Sequence, residues 1–204
     1  MLLQAGMDAP RFELFDADMK LFSLAAQLGK KNVVLYFYPK DGTPGCTMEA
    51  NEFSDLDDKF KRFDTLVVGV SRDECLSHTE FRDKYGFSVL LLSDSESIVC
   101  KKYGVLYDKE ASLGDTTDRT ASHLTKLSKD DSKVIGYSHS TKLSENDSQI
   151  AGNEQGRRVD SHNKVAIQRS TFVIDKQGKL CHVLYGVHAH GHAIEILKLV
   201  EELK

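Results

Sequence analysis

The apolar positions of this chain change period several times. Val33-Val34-Leu35-Tyr36-Phe37-Tyr38, Thr65-Leu66-Val67-Val68-Gly69-Val70 and Val89-Leu90-Leu91-Leu92 are near-continuous apolar runs. Such runs, without polar alternation, predict strands buried on both faces, as in a parallel sheet. Between the first two, Ala50, Phe53, Leu56, Phe60 and Phe63 recur at helical spacing and predict a helix over about 46–62. Ser71-Arg72-Asp73-Glu74 has capping-box form, with Ser71 as N-cap, and predicts a helix that runs to Tyr85 and stops at Gly86. Residues 94–103 read as a short helix with Ile98 and Val99 inward and Gly104 as its stop. Residues 170–175 and 180–185 flank Lys176-Gln177-Gly178-Lys179, a hairpin signature, and Ile194, Leu197 and Val200 mark a closing amphipathic helix. Near the N-terminus, Phe12, Leu14 and Phe15 are expected on one apolar layer, and Ser23-Leu24-Ala25-Ala26-Gln27-Leu28 before Gly29 reads as a helix. Strands alternating with helices, then a hairpin and a helix, predict an α/β fold with a central mixed sheet.

One stretch breaks this pattern. From about 106 to 164 the chain is rich in Ser, Thr, Asp, Lys and Asn, with no Phe and with Tyr107 and Tyr137 as its aromatics. Such a composition buries little apolar area, so a polar, flexible insertion is expected here, with Val134-Ile135-Gly136-Tyr137 as a short strand. The remainder of the 204 residues suffices for one domain with a full core.

Composition narrows the class. Hydrophobic residues make up 40% and charged residues 28%, with a net charge of −4, so nothing global favours nucleic acid as a partner. No apolar run approaches a membrane span, and Met1-Leu2-Leu3-Gln4-Ala5-Gly6-Met7 lacks the pattern of a secretory signal; an intracellular, most simply cytoplasmic, protein is expected. No G-x-G-x-x-G or P-loop is present, and no cofactor is indicated.

The candidate chemistry lies in Pro39-Lys40-Asp41-Gly42-Thr43-Pro44-Gly45-Cys46. Cys46 follows a strand and falls in or just before the first turn of a helix. Unpaired N–H groups and the positive end of the helix dipole favour a thiolate there, and thiolate is the nucleophilic form. The other cysteines, Cys75, Cys100 and Cys181, form no C-x-x-C pair with it or with each other. Cys100 and Cys181 read as small buried residues, whereas Cys75 follows the capping box and is expected to be exposed.

The stretch Tyr38-Pro39-Lys40-Asp41-Gly42-Thr43-Pro44-Gly45-Cys46-Thr47 resembles the peroxidatic-cysteine motif P-x-x-x-T-x-x-C of the peroxiredoxins, and its T-P-G-C-T form resembles the bacterioferritin-comigratory-protein (PrxQ) branch. Gly69-Val70-Ser71-Arg72-Asp73, Leu91-Leu92-Ser93-Asp94, Tyr103-Gly104-Val105, Arg169-Ser170-Thr171-Phe172-Val173-Ile174-Asp175 and Gly191-His192-Ala193 follow in the family's order. The resemblance implies a thioredoxin-like fold, in which a cysteine reduces hydrogen peroxide and organic hydroperoxides and is recycled by thioredoxin or another thiol. It implies Cys46 as the peroxidatic cysteine, Thr43 as the threonine that bonds sulfur and peroxide, Pro39 as a shield against water, and Arg169 as the cation beside the sulfur. The chemistry asks for the same parts. Charge shifts along the S–O–O line, and a fixed guanidinium with convergent N–H donors stabilises it. The N–H groups of Gly45 and Cys46 are candidate substrate donors, and glycine at 45 permits close approach. A monomer or weak dimer is expected.

The chain departs from the family where a second thiol would stand. The position five after Cys46 is Asn51, and the later alternative is Arg82. Cys75 is the candidate unconventional resolver; the leading reading is a one-cysteine mechanism with an external thiol. A redox-sensing interaction protein is the alternative from another class. Glu49, one turn past Cys46, either holds the arginine or is an ordinary first-turn carboxylate. His188, His190 and His192 alternate along an extended segment, but lack an accompanying carboxylate or cysteine cluster, so no metal is read from them.

Overall fold

The computed structural model describes residues 2–108 and 165–203. In chain order it contains β1 (Glu13–Asp16), β2 (Leu21–Ser23), β3 (Asn32–Phe37), α1 (Pro44–Asp55), α2 (Asp57–Arg62), β4 (Thr65–Ser71), α3 (Cys75–Tyr85), β5 (Leu90–Ser93), α4 (Ile98–Lys102), β6 (Leu106–Asp108), β7 (Val165–Ile167), β8 (Ser170–Ile174), β9 (Leu180–Tyr185) and α5 (His192–Glu201). Seven strands form one sheet in the order β2-β1-β5-β4-β3-β8-β9. β3, β4 and β5 run parallel, while β1 pairs antiparallel with β5 and β8 antiparallel with β3. This is the mixed sheet the apolar runs predict.

The pleat of β3 explains why its run is uninterrupted. Val33, Leu35 and Phe37 join one core with Phe12, Phe22, Leu24, Val99, Cys100 and Tyr103. Val34, Tyr36 and Tyr38 join the other, beneath Ala50 and Phe53 of α1, Phe81 of α3 and Ile196 of α5. Both faces of the strand are therefore dry from Val33 onward, and an unbroken run of apolar and aromatic residues fills them. Gly69 on β4 serves this packing. A methyl group there would lie 2.6 Å from the ring and hydroxyl of Tyr36, closer than packed atoms tolerate.

Several local expectations need correction. The helix over 46–62 is two helices, α1 and α2, which meet at Leu56 (φ −100°, ψ 0°). Ser54, Asp55, Asp57 and Asp58 surround that break, residue types with low intrinsic helix propensity. Ser71 is not an N-cap. It ends β4, its Oγ donates to Asp73 Oδ2 at 2.7 Å and accepts from Asp73 N at 3.0 Å, and α3 begins later, at Cys75. The helix expected over 23–28 is a single 3-10 turn, Ala25–Gln27. Phe15, Ile98 and Ile194 are 47%, 49% and 44% exposed, so each lies outside the apolar layer assigned to it. Cys181 is half-buried rather than a core residue.

The edges of the expected insertion are visible. β6 and β7 pair antiparallel as a separate ladder, with Asp108 opposite Val165. Residues 106–108 are thus a strand, while the rest of the expected insertion, including the strand read at 134–137, lies outside the described residues. Among the described residues, no helix is long and apolar enough to cross a membrane.

Candidate active site

The C-terminal end of β3 delivers the chain into a turn and then directly into α1. Thr43 is the N-cap, in extended conformation, and Pro44 is the first helical residue, where its missing N–H costs nothing. Cys46 is the third residue of α1 and is 2% exposed. It lies in the first turn of α1, where backbone N–H groups lack intrahelical partners.

Arg169, the residue before Ser170 at the start of β8, reaches this sulfur: its Nη2 donates to Cys46 Sγ at 3.2 Å. The antiparallel register pairs Phe37 at the end of β3 with Ser170 at the start of β8, which brings positions distant in sequence to the same end of the sheet. Arg169 Nη1 donates to Glu49 Oε2. Glu49 is fully buried, so of its two readings the structure selects the one in which it holds the arginine. Burial pushes the Glu49 carboxyl up to about 7, with Arg169 opposing the rise and Glu52 adding to it. Its second oxygen, Oε1, is buried without a hydrogen-bond partner. The Tyr36 phenol is held well above its ordinary range, by burial first and then by the negative charges of Glu49, Cys46 and Asp41.

Gly45 lies against the guanidinium. A methyl group placed on it would sit 3.6 Å from Arg169 Nη2 and 3.8 Å from the Ala189 methyl. Thr43 Oγ1 donates to the Lys40 carbonyl at 3.1 Å, so it must turn before it can bond to sulfur or substrate. Pro39 is exposed on the segment between β3 and the turn.

A buried polar cluster anchors the turn from behind. Asp41 Oδ1 accepts from the Tyr38 hydroxyl at 2.7 Å, and Oδ2 accepts from Ser77 Oγ at 2.8 Å and lies 2.8 Å from His78 Nδ1. The Asp41 N–H donates to Asp73 Oδ2 at 2.8 Å. Burial raises the Asp41 carboxyl, but hydrogen bonds from His78, Tyr38 and Ser77 outweigh it and hold the carboxyl below its ordinary value. Sequence reading missed this cluster. Asp41 lay inside the quoted motif, but nothing in the spacing tied it to Ser77 and His78 on α3.

The other expected site residues lie elsewhere. Cys75 starts α3 with its Sγ 4.0 Å from the carbonyl oxygen of Phe15 on β1. β1 is three strands from β3 and four from β8, roughly 14 and 19 Å at ordinary strand spacing. Joining Cys75 to Cys46, which needs Cα atoms within about 7 Å, would require large local unfolding. Cys100 is fully buried, and burial with the nearby Asp94 pushes its thiol far up. Asn51 is exposed on α1, and Arg82 pairs with Asp18 and Asp83 on the surface. His188 and His190 are exposed, while buried His192 starts α5 with its Nε2 2.7 Å from Thr171 Oγ1. The three histidines therefore do not share a face.

The chain is similar to known proteins over most of its length. The model of the AhpC/TSA family matches residues 5–183. A putative peroxiredoxin Bcp of Coxiella burnetii is 31% identical over 197 residues, covering 97% of this chain and 98% of that protein. The corresponding Helicobacter pylori J99 protein is 35% identical over 201 residues, covering 96% and 97%. Among solved structures, a cysteine-to-serine mutant of Xylella fastidiosa PrxQ is 25% identical, with a TM-score of 0.70 over 99% of this chain and 98% of that one. With a family model spanning most of the chain and full-length relatives above 30% identity, the chain belongs to the AhpC/TSA family, as a peroxiredoxin of the Bcp/PrxQ branch.

Proposed function

We propose that this peroxiredoxin reduces hydrogen peroxide and organic hydroperoxides through Cys46. The observation that carries the assignment is the guanidinium of Arg169, bound at once to Cys46 Sγ at 3.2 Å and to the buried Glu49. The Cys46 thiolate attacks the terminal oxygen of the hydroperoxide. An S–O bond forms as the O–O bond breaks, and the leaving alkoxide or hydroxide takes a proton from solvent. Sulfur loses two electrons to the peroxide and becomes a sulfenic acid. Arg169 and the N–H groups of Gly45 and Cys46 stabilise the charge that moves onto the departing oxygen. Thr43, once turned from Lys40, supplies a hydroxyl to the same line of atoms, and Pro39 shields the thiolate.

Resolution falls to an outside thiol, thioredoxin or another thiol reductant. The first thiol displaces water from the sulfenic acid to give a mixed disulfide, and the second releases Cys46. The distance from β3 to Cys75, with asparagine and arginine at the usual resolving positions, supports this one-cysteine reading. Reliance on free thiols fits a reducing, intracellular compartment. The polar stretch beyond Asp108 is proposed as an insertion within a single domain.

Peroxide consumption coupled to thioredoxin and its reductase tests the assignment. Wild-type protein and the Cys100→Ser and Cys181→Ser variants should turn over repeatedly, and Cys46→Ser should not. Turnover in Cys46→Ser would refute the mechanism. A single stoichiometric oxidation without turnover would instead favour the sensing alternative. Intact mass after one equivalent of peroxide should show one added oxygen; a loss of two hydrogens would assign resolution to an internal disulfide.

A further inference from the structure

The segment between β9 and α5 forms one wall of the site, and it is fixed at both ends. Val187 N donates to the Arg169 carbonyl at 3.0 Å. Gly191 N donates to Glu52 Oε1 at 3.0 Å, and His190 Nδ1 lies 3.3 Å from the same oxygen. Glu52 lies on α1, six residues past Cys46, so the helix that carries the sulfur also holds the wall. Gly186 and Gly191 supply the bends, at φ +69° and +74°, which favour glycine. Between the anchors, exposure alternates: His188 and His190 face outward, and Val187 and Ala189 are half-buried. Ala189 is the inward side chain placed against Gly45, whose added methyl would contact both Ala189 Cβ at 3.8 Å and Arg169 Nη2 at 3.6 Å. Gly45 thus stands between the guanidinium that binds the sulfur and the Ala189 methyl, about one methyl's width from each.

We propose that Ala189 is a specificity-determining residue. Its small side chain, held by the Glu52 clasp, sets how wide a hydroperoxide can reach Cys46. This rests on the reading of Cys46 as the peroxide-reactive thiol. A hydrogen peroxide molecule needs little room beside the guanidinium. An organic hydroperoxide must place its carbon substituent somewhere along the approach, and a side chain larger than methyl at 189 would close the methyl-wide gap to Gly45 and press toward the guanidinium. Because the loop is bonded at both ends, a larger side chain at 189 is not relieved by a swing of the loop.

The test is a graded series, Ala189→Gly, Ala189→Val and Ala189→Phe. Second-order rate constants for Cys46 oxidation are measured with hydrogen peroxide and with cumene hydroperoxide. The ratio of the cumene to the hydrogen peroxide constant should fall at least about tenfold from Gly to Phe, while the hydrogen peroxide constant stays within about threefold. A ratio that stays flat across the series overturns the proposal, as does an equal fall in both constants. Alkylation by iodoacetamide against a fluorescein maleimide gives a second readout of the same wall, independent of peroxide chemistry. Its ratio should shift in the same order, and an unchanged ratio counts against the wall. If the phenylalanine variant fails to fold, the glycine and valine variants still bracket the effect. Wild-type protein inert to both peroxides would refute the peroxidase reading itself, a result distinct from a flat ratio in active protein.

Discussion

Replacing Glu49 with glutamine should make the protein more stable at alkaline pH, although it removes a partner of the active-site arginine. The wild-type carboxyl is raised from 4.5 in the open chain to about 7 in the folded state, chiefly by burial. Between those two values the folded state holds a proton that the unfolded state has lost, so stability falls as pH rises. The contribution is fully present below pH 4.5 and lost as pH passes through about 7. A difference of about 2.5 units corresponds to about 3 kcal/mol. Glutamine resembles the protonated acid in shape and charge. Its carbonyl can still accept from Arg169 Nη1, and its amide takes the place of Oε1, which has no partner in the wild type. The variant should therefore lack the fall. Urea unfolding of both proteins, in half-unit steps from pH 4.5 to 8.5, measures the gap. It should grow in favour of Glu49→Gln by about 3 kcal/mol across the range, most steeply below pH 7. A gap that is constant with pH, or that favours the wild type more at high pH, would show that the arginine outweighs burial and that the ionised pair is native.

Arg169→Met should slow the reaction of Cys46 with peroxide by about a hundredfold, as expected for loss of a preorganised donor, in stopped-flow measurements at pH 7; an unchanged rate would remove Arg169 from the chemistry. Replacing 109–164 with a Gly/Ser linker of about four residues should shift the melting temperature by less than about 4 °C, because Asp108 and Val165 are cross-strand neighbours and a short turn can join them. Loss of cooperative unfolding in that variant would show that the stretch is part of the core.

The fold was legible where burial on both faces leaves a continuous apolar run. β3, β4 and β5 carry such runs, and the helices between them, with the hairpin that follows, pointed to a mixed sheet; the strand order did not show in the sequence. Faces of short elements were not legible. α4 has five residues, too few for a helical period to show that Ile98 faces out and Val99 in. The Ser71 cap failed for a physical reason: the same Ser and Asp side chains that cap helices also close local turns, and Asp73 was the nearer partner. At the site, Cys46, Thr43, Gly45 and Arg169 could be placed through a motif. The Glu52 clasp and the Asp41 cluster could not, since each depends on tertiary contacts between segments whose spacing carries no period.

The ladder of β6 and β7 has a mechanical meaning. Arg169 follows β7 after one intervening residue, Gln168, so a pull on the chain ahead of Val165 would otherwise reach the guanidinium directly. Three attachments stand in the way. β7 is paired to β6, the Val165 carbonyl accepts from Arg72 Nη1 at 2.8 Å, and Gln168 N donates to the Val105 carbonyl at 2.7 Å. Together they act as strain relief on a cable, bearing load before it arrives at the contact that matters. The stretch from 109 to 164 can then drift in sequence and length over evolutionary time without retuning the peroxide chemistry.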